Sequence, residues 1–364
     1  MNKQLKLIIV GTQPSSGRGG ISTALEGYLE GLKVTEQKFS FVNSHVDRTS
    51  KLMILKTWFL AFKKVYLLVK TAQKHNEEPV IWLHGGAWLS LLRKFSIALV
   101  GRLSGAKVVI HIHSQSNLTY LNSPFRKMLF KVMLSPAHML FALTPWWAEV
   151  LTKHFPSHKI SIVPNPINNQ LLQVIGDNKK EASINIESRN NKINIIAMSR
   201  LVKGKGFEQV IEALVYLNDD YKLLIAGDGP LLPELKALVH QHKLAEKVEF
   251  LGWLDSDSKI DLLSQSDVFC LPSINDSFGM VYIEAMACGI PVVALNYGAI
   301  PDVVTNEVSG ILCNDSSSDS LVKGIYKAIE NKEDLVQGAF DSIEKNYTPK
   351  AVATIVKKAM MELQ

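Results

Sequence analysis

Cysteine is scarce in this chain. Its 364 residues hold three, Cys270, Cys288 and Cys313. None stands in a C-x-x-C or a Cys/His spacing, which excludes a zinc ribbon and a disulfide-stapled scaffold. Cys270 and Cys288 lie in apolar runs and read as buried core thiols, which suits a reducing cytoplasm. Long apolar runs are missing too. The best stretch, residues 80–103, is broken by His84, Arg93, Lys94 and Arg102, and a spanning helix needs roughly 18 or more uninterrupted apolar residues. The opening residues carry LKLIIV but no small-residue cleavage site, so no secretory signal is expected there. No G-x-G-x-x-G follows the first apolar run, which argues against an NAD-dependent oxidoreductase. No Asp-x-Asp presents itself as an obvious Mg²⁺ or Mn²⁺ holder for a diphosphate, so no metal is expected. No nucleic-acid-binding motif accompanies the basic residues, so no nucleic acid is expected as a partner.

Acidic residues are thin in the first half. Residues 1–170 carry 21 Lys and Arg against 7 Asp and Glu, while the remainder carries 19 against 27. A basic half and an acidic half point to two domains that face different partners, and the length alone favours two. Strand-like and helix-like runs alternate. Apolar strand patterns fall at 5–10, 39–43, 80–83, 107–113 and 138–143, with helical patterns between them at 21–32, 52–71, 89–103 and 126–135. Residues 173–192 are rich in Asn, Lys, Glu and Ser and read as a linker. The rhythm restarts with strands at 193–198, 221–226, 248–251, 268–271 and 291–295. Such alternation implies α/β architecture, two doubly wound parallel sheets with helices on both faces.

Two segments carry the chemistry. The first is LPSINDSFGMVYIEAMACGIPVVA, residues 271–294. Its strand ends at Pro272, and a helix opens at Gly279. A helix that opens beside the carboxyl end of a strand presents amides to an anion. Free amides near Gly279, Met280 and Val281 would point at a phosphate, with Ser277 and Phe278 just before them. Glu284 is placed to accept from ribose hydroxyls and Asp276 from sugar hydroxyls. The second is SRLVKGKG, residues 199–206. Arg200 and Lys205 would project from a strand end, where two fixed cations can stabilise a diphosphate leaving group without a metal. Taken singly, each feature has a structural reading: Gly227 and Gly229 of GDG form a strand-to-helix turn, and Gly19 and Gly20 belong to a glycine-rich loop.

Together these segments resemble the family 4 retaining glycosyltransferases of the GT-B fold. The resemblance is strongest over residues 193–310, through SRLVKGKG, LLIAGDGPLLPELKALV, VEFLGW and DSFGMVYIEAMACGIPVV, with GRGGIST, HIHSQS and VPNPI in the first half. It implies two Rossmann-like domains facing a central cleft. Residues 1–168 would bind the acceptor, 169–192 link, 193–345 bind the nucleotide sugar, and a helix over 346–364 pack back across the first domain. It assigns Arg200 and Lys205 to the diphosphate, Glu284 to ribose and Asp276 to the transferred sugar. Gly19 and Gly20 would approach the distal phosphate, and His113 the anomeric centre, with His111 and His84 as rivals. Asp276 stands where the family has the first of two glutamates.

The implied function is transfer of a hexose-type sugar, with retention, from a UDP- or GDP-sugar to a glycan or lipid-linked glycan in cell-surface polysaccharide synthesis, without a cofactor. The alternative is a sugar-nucleotide-binding protein without turnover, motivated by Asp276. Residues 52–70 read as a basic amphipathic helix with Lys56, Lys63, Lys64 and Lys70. That pattern fits either a core helix with a solvated face or one lying on anionic lipid. Lys63, Lys64, Arg93 and Lys94, with Trp58 or Phe59, are the expected contacts. The expected location is the cytoplasm, or the inner face of the plasma membrane as a peripheral protein.

Overall fold

The structure is a computed structural model that describes residues 4–14, 20–45, 51–86, 88–181 and 192–363. The chain forms two compact units, Met1–Asn168 with Asn346–Gln364, and Asn169–Lys345.

The first unit runs β1 (Leu5–Thr12), α1 (Gly20–Val34), β2 (Phe39–His45), α2 (Lys51–Lys74), β3 (Glu78–Gly85), α3 (Trp88–Leu103), β4 (Lys107–Ile112), α4 (Pro124–Leu134), β5 (Met139–Ala142), α5 (Pro145–His154) and β6 (Lys159–Ile162). Its six strands lie in the order β2-β1-β3-β4-β5-β6, paired parallel throughout. The apolar runs explain this. Leu7 to Val10 and Val80 to Leu83 are buried, as central strands covered on both faces must be. Thr144 caps α5 by accepting from the Trp147 amide, with Pro145 at the first helical position.

The second unit runs α6 (Asn169–Glu181), β7 (Ile193–Met198), α7 (Phe207–Leu214), β8 (Tyr221–Ala226), α8 (Leu232–Gln241), β9 (Val248–Gly252), α9 (Ser256–Ser264), β10 (Val268–Leu271), α10 (Met280–Ala287), β11 (Val292–Leu295), β12 (Ile311–Cys313), α11 (Ser318–Glu330) and α12 (Lys332–Asn346). Its order is β12-β11-β10-β7-β8-β9. Strand order reverses at β7, whose neighbours are β8 and β10. That is the switch point at which open α/β sheets place ligands.

The linker expected over 169–192 begins instead as helix α6. Leu171 and Ile175, four residues apart, are both buried, and α6 packs on α10. Residues 182–191 lie outside the described residues. The last helix, α13 (Pro349–Met361), belongs to the first unit and packs on α1. Gly31 makes that approach close: a Cβ there would sit 2.0 Å from the Pro349 carbonyl oxygen. Val352, Val356 and Met360 are buried, each contributing roughly 1.5–3 kcal/mol.

Candidate functional site

The loops that follow β7 and β10 lie side by side because their strands are neighbours. The Ile274 amide donates to the Gly204 carbonyl at 2.9 Å, and the Ser273 hydroxyl donates to it at 3.2 Å. This seam brings two expected site residues together. The Lys205 ammonium donates to Asp276 Oδ1 at 2.6 Å and to the Asn275 carbonyl at 2.9 Å. Their side chains are only 8% and 12% exposed. The other carboxylate oxygen, Asp276 Oδ2, is buried with no hydrogen-bond partner. A buried acceptor left unpaired costs about 1–3 kcal/mol, so a donor arriving there is favoured.

Beyond Asp276 the chain enters α10 through Gly279. This residue has φ +80°, and no side chain caps the helix. The first amides of a helix have no acceptor within it, so those of Met280 and Val281 face the loop. A Cβ at Gly279 would lie 2.3 Å from Cδ2 of Tyr282, whose hydroxyl is fixed by donation to the Leu271 carbonyl at 2.8 Å. Phe278 is buried beside it and Ser277 half-buried. Glu284 is also buried. Its Oε1 accepts from the Lys259 ammonium at 2.7 Å. Burial, then the Glu284 carboxylate, push the Cys288 thiol up to about 12, which makes it inert.

Arg200 is exposed and makes no ion pair among the described residues. Its loop is held by GDG. A Cβ at Gly227 would meet the Ser199 carbonyl oxygen at 1.8 Å, and one at Gly229 the Leu201 carbonyl oxygen at 2.3 Å. These glycines therefore have a packing role, positioning the loop that carries Arg200.

In the first unit the three candidate histidines form one buried cluster. His84 Nδ1 and His113 Nε2 are 2.9 Å apart, and the His111 ring is centred 4.2 Å from that of His113. Burial, then the nearby Lys94 ammonium, push His113 down to about 3. Burial, then His113, then Lys94, also hold His84 well below the usual range. Neutral imidazoles can each donate and accept one hydrogen bond. Their ring nitrogens lie within 4.8 Å of one another, so the set could ring a metal ion; the Lys94 charge opposes a cation there. Gly20 is the first residue of α1, and Gly19 lies outside the described residues.

Sequence reasoning missed Lys259, Asn275 and the convergence of the histidines. Lys259 looks like any surface lysine in a helix. The His-x-His spacing at 111 and 113 is the only sequence signal for the cluster.

With this geometry in view, comparison with known proteins bears on the second unit. Residues 178–339 match the model of the glycosyl transferases group 1 family, a span that includes every candidate from Arg200 to Glu284. The second unit is thus similar to the glycosyl transferases group 1 family. The chain is 34% identical over 157 residues to N-acetyl-alpha-D-glucosaminyl L-malate synthase of Bacillus anthracis, covering 43% of this chain and 40% of that one. It is 28% identical over 197 residues to the phosphatidylinositol N-acetylglucosaminyltransferase GPI3 subunit of Saccharomyces cerevisiae, covering 52% and 42%. The chain thus spans about half or less of the length of these curated relatives. Among solved structures, Anabaena HepE in complex with UDP and glucose matches with a TM-score of 0.69 at 17% identity, over 98% of this chain and 100% of that one. At that identity the likeness is one of fold, two Rossmann-like domains of the GT-B type. The glycosyl transferases group 1 match and the switch-point geometry fall on the same residues.

Proposed function

We propose that this chain belongs to the glycosyl transferases group 1 family and is a retaining hexosyltransferase. It moves a sugar from a UDP- or GDP-sugar to a glycan or lipid-linked glycan in the synthesis of cell-surface polysaccharide. The observation that carries the reading is the half-satisfied Asp276 carboxylate, one oxygen on Lys205 and one unpaired, beside the uncapped start of α10. A sugar hydroxyl suits the free oxygen, and a phosphate suits the helix amides. Arg200 and Lys205 supply fixed positive charge as the diphosphate departs. Glu284, held in place by the Lys259 ammonium at 2.7 Å, accepts from the ribose hydroxyls. His113, neutral by burial, serves at the sugar's reacting face. Retention proceeds by front-face attack assisted by the leaving phosphate, with no protein nucleophile.

The named relatives support this class. One is called an N-acetyl-alpha-D-glucosaminyl L-malate synthase, the other a phosphatidylinositol N-acetylglucosaminyltransferase subunit, and the fold neighbour was crystallised with UDP and glucose. Their acceptors differ, so the acceptor here is read as a class. The test is a panel of UDP- and GDP-sugars with glycan and lipid-linked acceptors, following nucleotide release and the anomeric configuration of the product. Turnover is expected for at least one donor and is expected to survive EDTA. Complete loss on chelation, restored by Mn²⁺, would overturn the metal-free reading. Tight nucleotide binding with no release from any donor would establish the binding-protein alternative, and restoration of turnover by Asp276→Glu would tie that silence to the shortened carboxylate.

A further inference from the structure

Helices α2, α3 and α4 form a layer on one face of the first sheet. α2 packs on α3, and α3 on α4, as right-handed crossovers from β2 to β3, β3 to β4 and β4 to β5 require. A layer helix ordinarily turns its apolar side to the sheet and its polar side to water. The inward side of α2 obeys, with Ala61, Val65, Val69 and Ala72 buried. The outward side does not. Of the large apolar side chains exposed among the described residues, fourteen of twenty-five lie on these three helices. Three mark the helix starts, Leu52 at 77% exposed, Leu89 at 67% and Phe125 at 68%, and Phe59, two turns into α2, is 73% exposed. Each helix leaves the carboxyl end of a parallel strand, so the three starts share one edge of the sheet.

Charge on the same layer has one sign. Residues 48–76 and 79–148 contain no aspartate or glutamate, while Lys56, Lys63, Lys64, Arg126 and Lys131 are exposed. These features discriminate among occupants. A two-fold dimer through this face would set two cationic surfaces against each other with no carboxylate on either. A nucleic acid would neutralise the lysines but leave Leu52, Phe59 and Phe125 against phosphates. An anionic bilayer accommodates both, apolar side chains in the acyl boundary and cations at the lipid phosphates. No helix among the described residues is long and apolar enough to cross a membrane, so the seating is interfacial.

We propose that the outward face of α2, α3 and α4 docks on an anionic lipid bilayer, with the helix starts inserted and the lysines on lipid phosphates. The contact set differs from the one expected from sequence. Lys94 is buried and donates to the Ser90 hydroxyl at 3.1 Å. Trp58 is half-buried and donates to the Ser96 hydroxyl at 3.2 Å, so Phe59 carries the apolar contact on that turn. The inference is independent of sugar transfer.

Co-sedimentation of the full chain with vesicles of phosphatidylcholine alone, and of phosphatidylcholine mixed with phosphatidylglycerol, tests it. Binding is expected only to the mixed vesicles. The triple variant Lys56→Glu, Lys63→Glu, Arg126→Glu should bind on the order of 100-fold more weakly, at about five-fold per lost cation. A second variant, Leu55→Ser, Phe59→Ser, Phe125→Ser, changes only exposed side chains. It should weaken binding while making what remains wholly salt-sensitive. Equal binding to both vesicle types, or none to either, overturns the proposal. So does a lipid-free dimer that Phe59→Ser dissociates, because a second copy would then cover this face.

Discussion

Arg200 and Lys205 carry the same formal charge and differ in what they do without ligand. Lys205 is already paired, at 2.6 Å from Asp276 in a nearly buried site. Arg200 is exposed with no ion pair among the described residues. Replacing each by alanine should therefore give different signatures. Arg200→Ala should lower kcat/KM by ~10²-fold or more, since it removes a charge aimed at the diphosphate, and should change stability by no more than ~0.5 kcal/mol. Lys205→Ala should lose as much rate and also about 3 kcal/mol of stability, because Asp276 is left as an unpaired buried charge. Adding Asp276→Ala to Lys205→Ala should recover much of the stability and none of the turnover. Urea unfolding alongside nucleotide-release assays separates the two effects; near wild-type turnover in Arg200→Ala would remove that residue from the donor phosphates. The sequence singles out Arg200, Lys205, Asp276 and Glu284, because loops at strand ends announce themselves. Their partners were not. Lys205 meets Asp276 across 71 positions and Lys259 meets Glu284 across 25, and no local pattern encodes pairings set by strand order.

From β7 to β11 the strands and helices of the second unit were legible, since buried parallel strands read as unbroken apolar runs, whereas α6 read as a linker. The short β12 and the helices α11 and α12 passed unread. α11 is amphipathic, with Leu321, Ile325 and Ala328 inward, but its many polar residues mask the stripe. The α10 start gives a prediction at this scale. Gly279→Ala places a side chain at φ +80° and 2.3 Å from the Tyr282 ring. It should cost at least ~1–2 kcal/mol and raise the donor KM by displacing the helix amides, as steady-state kinetics would reveal. An unchanged KM would mean that those amides do not meet the donor. The ends of β3 and β4 give another. His113 is pushed down to about 3 from 6.5, so it stays neutral when folded and charges when unfolded. Its contribution to stability is fully present above the unfolded value and is lost as pH falls below about 6.5. Between there and pH 5 the loss should be about 2 kcal/mol. The readout is the pH dependence of wild type minus that of His113→Gln, measured by urea unfolding. If the two curves run parallel, His113 already carries a proton in the fold.

At the scale of the whole molecule, the basic and acidic halves coincide with two surfaces of different chemistry. The first unit offers an acid-free apolar and cationic layer. The second offers a polar seam at a switch point, with fixed charges already in place. Two ligands should then leave two separate footprints. UDP or GDP at about 100 times its Kd should stabilise the chain by ~2.7 kcal/mol. It should slow amide exchange over 199–206 and 272–284, the loops after β7 and β10 and the start of α10, because bound phosphate and sugar groups give those amides partners. Anionic vesicles should instead slow exchange at the starts of α2, α3 and α4, where insertion excludes water from fraying turns. Hydrogen exchange followed by mass spectrometry resolves both sets of segments in a single experiment. Nucleotide without change over 272–284 would move the donor site away from α10. Vesicles that protect 272–284 as strongly as α2 would show that the bilayer meets the second unit, against the distribution of charge between the halves.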